Sequence, residues 1–115
     1  MIQVQIGRHF DVRTTEGRRL TAEDLHVEGE RLMQALLDLE ACNEDVSDAA
    51  TATDATQGRV LVELLITADS EAEAVEKSLM ITRTAIHAIG GATPWEAADD
   101  LGADYRPREM LLEYV

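Results

Sequence analysis

Ile2, Val4 and Ile6 alternate with Gln3 and Gln5, a period of two that predicts a strand with one face on a core. The same parity turns Arg8 inward before Phe10 and Val12, so Gly7 reads as a bulge that bends the strand, with extended chain to about Arg13. The period then changes. Thr21-Ala22-Glu23-Asp24 has the form of a capping box, flanked by Leu20 and Leu25 as a hydrophobic staple. Leu25, Leu32, Leu36 and Leu39 follow at helical spacing, on a stripe that Met33 and Leu37 widen and that includes Gly29. This helix is predicted to end near Asn43.

Val46 to Thr56 is a weakly alternating, Ala- and Thr-rich segment that reads as an edge strand, with Asp48 and Asp54 discouraging edge-to-edge association. A turn at Gln57-Gly58 leads to Val60, Val62, Leu64 and Ile66, interleaved with Leu61, Glu63, Leu65 and Thr67. Both parities are largely apolar, which predicts a central strand covered on both faces. Ser70-Glu71-Ala72-Glu73 opens a second helix, with Val75, Leu79, Thr82, Ile86 and Ile89 on one face and Gly90-Gly91 as its stop. Thr93-Pro94-Trp95-Glu96 predicts a short helix to Leu101. Tyr105 to Arg108 reads as a connection, and Glu109 to Val115 as the last strand.

The order strand, helix, strand, strand, helix, strand resembles the split βαβ arrangement of ferredoxin-like domains, and it spans residues 1–115 as a single domain. The resemblance implies an α+β, βαββαβ two-layer sandwich: an antiparallel sheet with both helices on one face. The other face is then open, and the central strands present Gln3, Gln5, Leu61, Glu63 and Leu65 there. Leu61 and Leu65 are poorly suited to water, which calls for a second sheet or an enclosed ligand.

Charge narrows the partners. Ten basic against twenty-three acidic side chains give a formal charge of -13, which repels phosphate backbones and anionic lipid. Direct nucleic-acid binding is not expected, and the central strands lack the aromatic side chains of an RNA-recognition surface. No apolar run is long enough to span a bilayer. The amino terminus has no basic segment followed by an apolar one, and Cys42 is the single cysteine; both point to a cytoplasmic protein without disulfides.

Candidate chemistry is sparse. His9, His26 and His87 share no i, i+4 spacing, and the pairs Glu44-Asp45 and Asp99-Asp100 lie outside a calcium-loop register, so no metal site and no cofactor is expected. Cys42, at a helix end among carboxylates, lacks the positive potential that activates a thiol. His9 is the first choice for a base, because it follows the expected bulge. Trp95, Tyr105, Arg106 and Arg108 form the one cluster of anchor-type side chains, suited to a partner or a ligand.

These features favour a non-enzymatic homodimer, formed through the open sheet or an edge strand, with an acidic outer surface that binds another macromolecule as an interaction or adaptor domain. One alternative is a ligand-binding or α+β-barrel type enzyme with its site on the open face, using His9, Glu63 and Arg106. Another is an inhibitor or immunity-type protein whose carboxylates dock a basic partner.

Overall fold

The computed structural model describes residues 1–94 and 102–115; the expected helix to Leu101, with Trp95, falls outside the described residues. The elements are β1 (Ile2–Thr14), α1 (Ala22–Cys42), β2 (Val46–Asp54), β3 (Arg59–Ala68), α2 (Glu71–Ala88) and β4 (Ala103–Tyr114). The sheet runs β2-β3-β1-β4, and each neighbouring pair is antiparallel. This is the ferredoxin-like βαββαβ sandwich, with both helices on one face.

Alternation dictates which side chains face the helices. Val4, Ile6, Phe10 and Val12 of β1 and Val60, Val62, Leu64 and Ile66 of β3 are all buried. Leu25, Leu32 and Leu36 of α1 and Ala74, Ile81, Ala85 and Ile86 of α2 close over them. Each large aliphatic side chain contributes about 1.5–3 kcal/mol by leaving water. The second helix is rotated from its expected face. Ala74, Ser78, Thr82 and Ala85 are buried, while Val75, Leu79 and Ile89 are half-buried. Small side chains mark the line of closest approach, which a search for Leu and Ile overlooks.

Both helix starts are capped as expected. Thr21 Oγ1 accepts the Asp24 amide at 3.1 Å, and Ser70 Oγ accepts the Glu73 amide at 3.2 Å. Thr21→Ala and Ser70→Ala should each lower stability by about 1 kcal/mol, read as a shift in thermal unfolding. At the other end of α2, a methyl group on Gly91 would lie 2.7 Å from Ile86 Cγ2, 3.0 Å from the Tyr105 ring and 3.1 Å from the Ile86 carbonyl oxygen. Gly91→Ala should therefore destabilise by about 1–3 kcal/mol in the same measurement.

The bulge is not at Gly7. Pairing of β1 with β3 is regular from Ile2↔Ala68 to Asp11↔Arg59, and the shift falls instead in the β1–β4 pairing between His9 and Phe10, where His9 faces Glu109 and Phe10 faces Pro107. The extra residue, Arg108, belongs to β4. Arg8 keeps its inward parity because α2 supplies partners: its guanidinium donates to Ser78 Oγ at 3.0 and 3.3 Å and to the Val75 carbonyl at 3.1 Å. Burial lowers its pKa without a carboxylate to offset the cost.

Strand β4 also starts earlier than Glu109. Ala103 and Tyr105 are buried, and the Val115 amide bonds the Gln3 carbonyl, which sets the phase of the ladder. Beyond the bulge that phase puts the nitrogen of Pro107 on the outer edge, where no donor is needed. Proline there is compatible with a strand.

Candidate functional site

With both helices on one side, the opposite face of the sheet is built from the odd positions of β1 and their cross-strand partners. Gln5 faces Leu65 and Glu113, Gly7 faces Glu63 and Leu111, and His9 faces Leu61 and Glu109. On β2, Ser47, Ala50 and Ala52 continue these rows. The expected residues Gln3, Gln5, Leu61, Glu63 and Leu65 thus share one face. Leu61 and Leu65 are half-buried, because their neighbours lean on them; a methyl group on Gly7 would meet Leu61 Cδ1 at 3.5 Å. Leu111, on the same face across from Gly7, is 53% exposed. Its signal was the alternation Glu109, Leu111, Glu113, legible only once β4 is in register.

Some polar groups on this face are matched among themselves, whereas Glu109 and Glu113 are exposed with no side-chain hydrogen bond or ion pair among the described residues. Gln5 Nε2 donates to Glu63 Oε2 at 2.8 Å. At one end of the face Asp11 takes Arg59 Nε on one oxygen at 3.0 Å and Arg108 Nε on the other at 3.4 Å. Arg106 Nε reaches Asp104 Oδ2 at 3.0 Å. Exposed pairs of this kind contribute about 0–1 kcal/mol each, so they position side chains more than they stabilise the fold. His9 is half-buried between Leu61 and Glu109, and among the described residues nothing hydrogen-bonds its ring.

Tyr105 is not a surface anchor. It is fully buried, its ring meets Phe10 edge-on at 5.9 Å, and its hydroxyl donates to Glu28 Oε1 at 2.7 Å. Burial, and then the Glu28 carboxylate, push the phenol pKa up, so it remains protonated. Even-handed alternation of Ala103 and Tyr105 beside Phe10 and Val12 accounts for this placement. Arg106 and Arg108 stay exposed, and Trp95 lies outside the described residues.

Two clefts lie away from His9, Glu63 and Arg106. One of about 470 Å³ sits at the sheet end, between Asp45, Asp69, Glu73, Lys77 and Met80. Another of about 390 Å³ lies between α1 and the β2 edge, beside His26, Gly29, Met33 and Thr51. His26 itself pairs with Glu30 at 2.9 Å on the exposed side of α1, and Cys42 is exposed. Among the described residues no three His, Cys, Asp or Glu side chains converge as a metal-holding group, and no helix is long and apolar enough to cross a membrane. No family model, curated protein or solved structure matches the chain.

Proposed function

We propose that this domain is a non-enzymatic homodimeric interaction module that associates through the open face of its sheet. The observation that carries this reading is the placement of the half-buried Leu61 and Leu65 and the 53% exposed Leu111 on the sheet face opposite the helices. Four strands about 4.8 Å apart and ten residues of about 3.3 Å rise offer roughly 600 Å² per partner. Two such faces give about 1,200 Å², the lower end of a stable interface.

Polar groups at the margins suit a rim. The Asp11 cluster and the Gln5–Glu63 pair arrive already hydrogen-bonded, while Glu63, Glu109 and Glu113 carry charge with no cation beside them among the described residues and must stay at the solvated rim of the seam. Leu111→Glu should halve the particle mass measured by light scattering. Val27→Glu, at a 47% exposed position on α1, should leave it unchanged. If neither substitution changes the mass, the open face is not the seam.

In such a dimer the helix layers point outward. Helix α1 exposes Glu23, Asp24, Glu30 and Asp38 against Arg31, while Glu28 is held by the Tyr105 hydroxyl and Glu40 by the Ala49 amide. That surface suits a basic protein partner, whose binding should weaken steeply with added salt. Binding that ignores salt would remove the charge argument.

A further inference from the structure

The two edges of the sheet are treated differently. On β2, Asp48 takes a left-handed φ of 51° where the register against β3 shifts, and Glu40 Oε1 captures the Ala49 amide at 3.0 Å. That edge is broken as a template. On β4 only the first half is closed. Ala92 bridges to the strand, its amide donating to the Ala103 carbonyl and its carbonyl accepting from the Tyr105 amide, both at 2.8 Å. Pro107 and the bulge follow. Beyond them no described residue pairs with the outer edge.

The ladder phase identifies which groups are left. The Val115 amide bonds Gln3, so Glu113, Leu111 and Glu109 bond β1, and Met110, Leu112 and Tyr114 turn their N–H and C=O groups outward. The side chains of these three share the helix side of the sheet, where Met110 is 39% and Tyr114 57% exposed. No lysine or arginine guards them. An open run of strand edge with apolar side chains on one side is a template for another strand.

We infer that this edge pairs antiparallel with β4 of a second copy about a two-fold axis at Leu112. The register follows from the residues. Centring on Leu112 sets Met110 against Tyr114 of the second copy and Leu112 against itself, apolar on apolar, and sets Glu113 against Leu111. Centring on Leu111 would set Glu109 against Glu113, two like charges directly opposed. The inference rests on the face-to-face reading for one of its two seams. The edge axis is perpendicular to the sheet and the face axis runs parallel to it between the two layers; where the two axes intersect, the isologous seams close a tetramer of dihedral symmetry.

The test reads particle mass by light scattering. The unmodified chain is expected as a tetramer, Met110→Pro as a dimer held by the face, and Leu65→Glu as a dimer held by the edge. Because proline costs strand stability, a charge pair gives a second arm. Met110→Lys with Tyr114→Lys opposes like charges across the seam and should halve the mass. Met110→Lys with Tyr114→Glu pairs opposite charges and should keep it. A chain whose mass ignores every edge substitution but falls with Leu65→Glu overturns the edge seam and leaves the face. A chain whose mass ignores Leu65→Glu but falls with the edge substitutions overturns the face and leaves the edge. Loss of mass in both double variants overturns the register.

Discussion

Leu65→Glu is expected to halve the mass of the assembled protein and to leave its circular dichroism unchanged. In the isolated fold Leu65 is half-buried between Gln5 and Ser47 on the uncovered face, so a glutamate there can reach water. In the proposed seam it cannot. Two-fold symmetry counts each change twice, and each lost leucine, already half-buried in the isolated fold, forfeits about 0.8–1.5 kcal/mol of further apolar burial. The new carboxylate also lies beside Glu63 on the same strand face and beside Gln5, whose row continues to Glu113. A loss of about 1.5–3 kcal/mol weakens association by one to two decades at about 1.4 kcal/mol per decade. Sedimentation or light scattering at tens of micromolar reads this directly.

Tyr105→Ala is expected to have the largest effect on folding, a loss of about 3–5 kcal/mol in denaturant unfolding. The ring fills the space under α1 against Phe10, and its hydroxyl satisfies Glu28, which is left partly buried when the phenol is removed. Tyr105→Phe separates the two contributions: it keeps the edge contact and should cost about 1–3 kcal/mol for the lost hydrogen bond to Glu28, which keeps Arg31 at 4.0 Å. A surface tyrosine would change stability by less than about 0.5 kcal/mol. A small loss for the alanine variant would place the ring outside the core.

The regular parts of the fold were legible in the residues. Two capping boxes located both helix starts, and the parity of Val4, Ile6, Val60 and Ile66 located the buried face of the sheet. Errors gathered where tertiary context overrode local pattern. Arg8 looked out of place inside a strand until Ser78 and the Val75 carbonyl gave its guanidinium partners. The segment Tyr105 to Arg108 read as a connection, because the harmless position of Pro107 on the outer edge depends on a register that sequence does not show. That misreading moved the start of β4 and placed Tyr105 on the surface. The face itself was found from β1 and β3 alone; its most exposed apolar residue came from the strand that was read least well.

The central claim is self-association through the sheet, and the mass of the unmodified chain in solution tests it most directly. Light scattering at tens of micromolar should give a dimer or tetramer of the 12.7 kDa chain. A particle of 12.7 kDa under those conditions would contradict the account.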